Sequence, residues 1–292
     1  MICDIGDMRF ARVLAPSLAA LLLATACQPS APAASTTTPT PAPKHVFVIV
    51  LENTSYALAL RQPYIARLAR QYAVATNYGE VSNPSLPNYL AMTSGSTWGI
   101  RDDSFHKLPA TGLGNQLSGA GISWKAYMEG FTGDCFSSPY PYALKHNPFA
   151  YYGGACPANV VPITDLTSDL NGNTPQLSWI TPGMCNDGHD CGVARSDRWL
   201  SQFVPQITSS TAWKLGGVLF IVWDESGTED GRVALLVVAP TLRGQLAMPL
   251  NHYSLLATIA DRLRVPRLGL AKQATSLQPQ LEAAAAPSPS SG

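Results

Sequence analysis

HVFVIVLEN, residues His45 to Asn53, decides the fold. Valine, phenylalanine and isoleucine follow one another without alternation, the pattern of a strand buried on both faces of a sheet. The run then stops on a carboxylate and an amide, Glu52 and Asn53. The start of a loop explains an asparagine there. So does chemistry, because ligands of open α/β sheets gather outside the carboxyl ends of the strands. Taken alone, the stretch leaves both explanations open.

VLFIVWDE, Val218 to Glu225, repeats the pattern far along the chain and ends on two acids, Asp224 and Glu225. In a parallel sheet the two polar pairs emerge at the same edge. One such pair is ordinary in a loop, but clustered carboxylates repel one another. A hard divalent cation, or a borderline one such as zinc, relieves that repulsion with oxygen ligands. The expected ligands of one divalent metal ion are therefore Glu52, Asn53, Asp224 and Glu225.

The segments between these strands change period. Tyr64 to Ala73 spaces its apolar residues as a helix does. In NPSLPNYLAMTSG, which begins at Asn83, Ser85 followed by Pro87 marks a helix start. Ile122 to Met128 alternates as a strand, Leu177 to Ile180 is a short strand, and Ala234 to Ala239 is another buried one. Ser196 to Ile207, with Ser196 as its cap, and NHYSLLATIADRLRV from Asn251 are helical. Phe131 to Pro162, rich in Gly, Pro, Tyr and Asn, reads as an irregular insertion. Strands alternating with helices predict an α/β fold, a three-layer α/β/α sandwich with a mainly parallel central sheet.

A serine at a helix N-terminus sits where backbone N–H groups and the helix dipole favour anions. Beside a cation its hydroxyl becomes a nucleophile, with a phosphate held between metal and helix end. The plain reading of Ser85 is an N-cap. Asn88, one turn on, could donate to a phosphate oxygen or lie on the helix surface. His189, in CNDGHDC, could protonate a leaving alcohol or bind phosphate, and Asp187 and Asp190 flank it, where they could orient it or ligate metal, with Asp187 a candidate substrate-binding residue. His252, at a helix start, has the same ambiguity. His106 lies in a polar loop within reach of a pocket, whereas His146 and His45 read as structural.

The chain has 292 residues, with 46% apolar, 13% charged and equal numbers of Lys+Arg and Asp+Glu, 19 each. Zero formal charge excludes a nucleic-acid binder that relies on a broad basic surface. Residues 1–27 read as an export signal, with Met8 a plausible initiator, Arg9 and Arg12 before an apolar stretch, and small residues before Cys27. Cys27 has the position of a lipidated cysteine, which would anchor the protein to a membrane, and plain cleavage after Ala26 is the alternative. Residues 28–43 are a Pro/Thr/Ala-rich linker, 44–273 one folded domain, and 274–292 a disordered tail. Four cysteines remain. Pairing Cys135 with Cys156 and Cys185 with Cys191 closes two local loops, as suits an oxidising compartment. A zinc site of all four thiolates is the rival, without the close CxxC spacing that would favour it.

HVFVIVLEN, NPSLPNYLAMTSG, SWKAYMEG, PGMCNDGHD, FIVWDESG and HYSLLATI, in that order, resemble the bacterial phosphoesterase family of acid phosphatases and non-zinc phospholipases C. The likeness runs from Lys44 to Leu270. It implies an alkaline phosphatase-like fold, with Ser85 as the nucleophile that forms a phosphoserine and Glu52, Asn53, Asp224 and Glu225 as ligands of the metal. It also implies that His189 lies near the phosphate or leaving group. Thr54 stands where the family often has a histidine. The chain lacks the large extra C-terminal domains of the phospholipase members. The resulting expectation is an exported, periplasmic or envelope-anchored phosphatase acting on small phosphomonoesters. The alternatives are a phosphodiesterase or phospholipase C on the same scaffold, and a non-catalytic ligand-binding lipoprotein. A sulfatase is disfavoured because no CxPxR sequence surrounds Ser85.

Overall fold

The computed structural model describes residues 44–286. The signal, Cys27, the linker before Lys44 and the last residues of the tail lie outside them. The strands among the described residues are β1 Val46–Leu51, β2 Ala73–Ala75, β3 Tyr78–Gly79, β4 Trp124–Met128, β5 Val160–Pro162, β6 Leu177–Thr181, β7 Val218–Trp223, β8 Leu235–Val238, β9 Gly244–Leu246 and β10 Leu250–Asn251. The helices are α1 Tyr56–Ala59, α2 Pro63–Gln71, α3 Ser85–Ser94, α4 Leu113–Gly119, α5 Asp165–Asn171, α6 Val193–Ser209, α7 Thr211–Lys214, α8 His252–Leu263 and α9 Gln278–Ala285.

Eight strands form one sheet in the order β5-β4-β6-β1-β7-β8-β2-β9. Its pairs are parallel except those of β8, which runs antiparallel to both β7 and β2. The two long apolar runs of the sequence are its neighbouring central strands, β1 and β7, buried at every residue. Burying the six side chains of β1 is worth on the order of 10 kcal/mol, an upper figure because the unfolded chain already buries some of that surface. A slip in register would forfeit much of it, so the residues after the strand are held in place. Leu51 pairs with Trp223, and the next residues, Glu52 and Asp224, therefore leave the sheet side by side.

Helices flank the sheet in two groups: α3 packs with α4 and α8, and α2 and α5 pack with α6. The arrangement is the expected α/β/α sandwich. Helix α3 is buried at all ten positions, and its polar side chains are satisfied locally. Thr93 and Ser94 donate to the carbonyls of Tyr89 and Leu90. The helix ends at Gly95, with φ +71°, where a Cβ would lie 2.3 Å from the Leu268 carbonyl oxygen. Only glycine meets both requirements.

Two expectations are corrected by the fold. Helix α6 begins at Val193, with Gly192 before it, so Ser196 is inside the helix rather than its cap. One turn of α6 serves another helix instead: Asp197 accepts from the N–H groups of Tyr64 and Ile65 at 3.3 and 2.8 Å, capping α2 from outside. The described part of the tail, residues 274–286, is not disordered, since α9 packs on α8 and buries Leu281. Alanine and glutamate favour helix and Pro279 suits a first turn. Both disulfides form as expected, Cys135–Cys156 and Cys185–Cys191. The first ties the irregular insertion, which carries two 3₁₀ turns, Leu144–His146 and Pro148–Ala150.

Candidate active site

The hydroxyl of Ser85 lies at the N-terminus of α3, buried beneath the carboxyl edge of the sheet. It donates to Glu52 Oε2 at 3.0 Å and has Glu225 Oε1 at 3.4 Å. The tips of β1 and β7 thus converge on one serine. Asn88 secures the turn that delivers it. Its side-chain oxygen accepts from the N–H groups of Val81 and Ser82, and its nitrogen donates to the carbonyls of Ser82 and Pro84. Every polar atom of that amide is engaged by the loop. Asn88 therefore holds the Ser85 turn, and is neither a surface residue nor a free donor for phosphate.

Four buried acids gather at this edge of the sheet. Glu52 is fully buried and is held by Tyr89, whose hydroxyl donates to Oε1 at 2.7 Å. Desolvation lifts its carboxyl well above the usual range, and Asp224 and Asp187 add to the effect. Burial raises Asp224 as well, with Glu225 contributing. Asp187 is pushed up to about 7 by burial, and Glu225 to about 7 by burial and by Glu80 and Asp103. One oxygen of Asp224 accepts the backbone N–H of Asn53 at 3.2 Å, and its other, Oδ2, has no hydrogen-bond partner. Asp187 Oδ2 faces the His146 ring, with Nδ1 at 3.2 Å. Asn53 itself is exposed at the rim, with φ +50°. Asn83 donates to Glu225 Oε2 at 2.6 Å.

His146, read from sequence as structural, is at the centre. It is buried, stacked on Tyr89 with ring centroids 5.3 Å apart, and lies 3.2 Å from both Glu52 Oε1 and Asp187 Oδ2. Burial holds its ring well below the ordinary histidine range, with Lys145 and His189 adding to the effect. His189 binds Asp190 Oδ1 through Nδ1 at 2.7 Å, and Lys145 Nζ lies 3.0 Å from its Nε2. Its backbone N–H donates to Asp187 Oδ1 at 2.8 Å. Ligating atoms of Glu52, His146 and His189 all lie within 4.8 Å of one another.

His252 does not face this group. It is buried behind β7, with Nε2 donating to the Asp224 carbonyl at 2.6 Å and Nδ1 accepting from the Tyr78 hydroxyl at 2.9 Å. It fixes the backbone that carries Asp224. His106 pairs with Asp102 at 2.8 Å on an exposed loop, and His45 binds the Pro175 carbonyl. Thr54 is buried and donates to the Glu52 carbonyl at 2.9 Å.

Sequence reading missed Tyr89, His146, Lys145 and Asp103. Tyr89 carried a signal, because it lies four residues after Ser85 and so on the same helix face. The other three lie in aperiodic loops and carried none.

The donor set suits a divalent cation. Buried carboxylates this close cannot all ionise without a compensating charge, and one buried carboxylate oxygen among them, Asp224 Oδ2, has no hydrogen-bond partner. Glu52, Asp224 and Glu225, with Asn53 at the rim, would hold such an ion beside Ser85, and the nitrogens of His146 and His189 lie within the same group.

Comparison with known proteins bears on the family and the fold. A family profile described as "Phosphoesterase family" matches residues 59–266. The chain is similar to the "Probable acid phosphatase" of Kluyveromyces lactis, 30% identical over 290 residues, 91% of this chain and 69% of that protein. It is 28% identical to the "Phosphate-repressible acid phosphatase" of Penicillium chrysogenum, over 76% of this chain but only 59% of that protein. It is 29% identical to the "Phosphatidylinositol-3-phosphatase" of Mycobacterium tuberculosis, over 79% of this chain and 80% of that protein. In fold it is similar to a protein of the alkaline phosphatase superfamily from Vibrio parahaemolyticus, with TM-score 0.53, 12% identity and coverage of 76% and 67%. The lipoteichoic acid synthase LtaP from Listeria monocytogenes gives TM-score 0.57, 10% identity and coverage of 78% and 74%.

Proposed function

The chain belongs to the Phosphoesterase family of phosphate-ester hydrolases, and from that premise we propose that it is an exported, metal-dependent phosphatase that cleaves small phosphomonoesters through Ser85. The observation that carries this reading is the meeting of Ser85 Oγ with Glu52 at 3.0 Å and Glu225 at 3.4 Å, under the tips of two central strands. In the reaction Ser85 Oγ attacks phosphorus, and the bond from phosphorus to the alcohol oxygen breaks as the Ser85–phosphorus bond forms. Glu52 Oε2 is placed to take the hydroxyl proton. The departing alkoxide takes its proton from water, and His189, held through Nδ1 by Asp190 and with Nε2 beside Lys145, is assigned to binding the leaving group. Water then hydrolyses the phosphoserine and restores Ser85. A divalent ion held by Glu52, Asn53, Asp224 and Glu225 would supply positive charge for the phosphoryl oxygens.

Two disulfides support passage through an oxidising compartment. With the signal-like N-terminus, they favour an exported protein, anchored at Cys27, that releases phosphate beside a membrane. Similarity to two proteins named acid phosphatases supports the monoester reading over the diester one.

The test is a substrate panel, run before and after EDTA treatment and metal add-back. p-Nitrophenyl phosphate should be cleaved faster than bis(p-nitrophenyl) phosphate or phosphatidylcholine, and Ser85→Ala should lose several orders of magnitude in turnover. Preference for the diesters selects the phospholipase-type reading. Metal binding with no hydrolysis of any ester selects the non-catalytic one. Ordinary turnover in Ser85→Ala rules out the serine route.

A further inference from the structure

Beside Ser85 one ion pair belongs to none of the roles assigned above. Asp103 reaches in from the loop between Ile100 and Leu108 and uses both carboxylate oxygens. Oδ1 accepts from the backbone N–H of Leu86 at 3.0 Å, and Oδ2 from Lys145 Nζ at 3.0 Å. Leu86 directly follows Ser85 near the start of α3, so one carboxylate bridges the backbone donor next to the serine and an ammonium. Lys145 also reaches His189 Nε2 at 3.0 Å, which ties it to the group around Glu52.

This arrangement matters for charge. A phosphomonoester brings a dianion to a place already crowded by Glu52, Asp187, Asp224 and Glu225. Lys145 is a cation that acts on this group directly, and it is held by a hydrogen-bonded partner on each side. The side chains of Lys145 and Asp103 keep 21% and 30% of their surface exposed, so the pair is open to a solute. A carboxylate that spans two donors offers them two oxygen acceptors, as a phosphoryl group does, but carries one negative charge against the dianion's two. Rotation of that one side chain breaks both bonds, while Ile100 and Leu108 at the ends of the loop stay buried.

We propose that Lys145 Nζ and the Leu86 N–H form the phosphoryl-binding subsite of this protein, and that Asp103 is its resting occupant, an internal anion that incoming phosphate displaces. The inference rests on the phosphatase reading for its substrate class. It goes further in assigning a binding residue, and a competitor for it, within the same chain. A competitor lowers apparent affinity by the fraction of molecules it occupies. The two residues therefore have opposite expected effects, although they form one ion pair.

The experiment measures inorganic phosphate binding to the metal-loaded protein by calorimetry, alongside KM and kcat for p-nitrophenyl phosphate. Lys145→Gln should weaken phosphate binding by roughly ten- to a hundredfold, as expected for loss of a charge-assisted bond, and Lys145→Arg should recover part of it. Asp103→Ala should tighten phosphate binding by about tenfold. Asp103→Asn, which keeps an acceptor for Leu86 and so the seat of the loop, should tighten it in the same direction. Circular dichroism and bound-metal content should match wild type in each variant.

If both Asp103 variants weaken binding as Lys145→Gln does, Asp103 merely holds the lysine in place and the proposal is overturned. If Lys145→Gln leaves both phosphate binding and KM unchanged, the subsite is elsewhere. The two readings fail separately. Phosphate bound in a Lys145-dependent way without hydrolysis of any ester refutes the phosphatase and leaves the subsite, whereas normal hydrolysis indifferent to Lys145 does the reverse.

Discussion

Acidification should weaken the fold through His252, by an amount the structure allows to be worked out. The ring is fully buried, donating to the Asp224 carbonyl and accepting from Tyr78, so both nitrogens are satisfied in the neutral form. Burial pushes its pKa down to about 4, from 6.5 for an exposed histidine. Because the folded value is depressed, the stabilising contribution is complete above the unfolded pKa and is lost as pH falls from about 6.5 toward about 4. Between about pH 7.5 and about pH 5 the loss is on the order of 2 kcal/mol, approaching about 3 kcal/mol at pH 4. Urea unfolding followed by tryptophan fluorescence measures it. Other groups titrate in the same range, so the informative quantity is the difference between wild type and His252→Gln at each pH. His252→Gln should be less stable at neutral pH, and the gap should narrow by about 2 kcal/mol at pH 5. A constant gap, or an imidazole that takes up a proton near 6.5 in an NMR titration, would refute the argument that this ring is buried neutral.

Adding a divalent cation to metal-free protein near pH 6 should release protons. Asp187 and Glu225, each pushed up to about 7, hold protons there that a cation displaces; weakly buffered indicator dye would detect it, and release should fade toward about pH 9. Raised carboxyls stabilise the metal-free fold below their unfolded pKa and lose that contribution as pH rises through about 7. Metal-free protein should therefore melt lower at alkaline pH, and metal should restore the melting temperature in a thermal scan. Replacing Cys185 and Cys191 together by serine opens a loop of sequence separation 6. By chain entropy this should cost about 2 kcal/mol in denaturant unfolding. It should also lower activity further, because the loop carries His189 and Asp187; full activity in the double variant would show that the bridge does not hold them.

The parts of this site that could be read in advance are those whose signal is local. Glu52, Asp224 and Glu225 follow two buried strands whose uninterrupted apolar runs place their own ends to within a residue. Ser85 announces itself through Pro84, Pro87 and the helical spacing after it. The cysteine pairs follow from short separations. The unread parts have no such markers. His146 and Lys145 sit in an aperiodic insertion rich in Gly, Pro and Tyr, and Asp103 in a polar loop. The chain around Asn88 and His252 is helical in either role, so nothing in it shows whether the side chain faces the serine or the backbone behind it. The antiparallel direction of β8 was equally hidden, because a buried strand has the same composition either way round.

Apolar periodicity, turn residues and short cysteine separations were enough to determine the α/β/α sheet, its carboxyl edge and the acids that leave it, since each depends on neighbours close along the chain. Which side chains close around Ser85 was decided only when the insertion folded onto that edge. There His146 is pressed between Glu52 and Asp187, Lys145 is set against Asp103, and His252 is turned away behind Asp224. Those contacts join segments far apart in the chain, and their energetics come from burial and charge in a shared space that no single stretch contains.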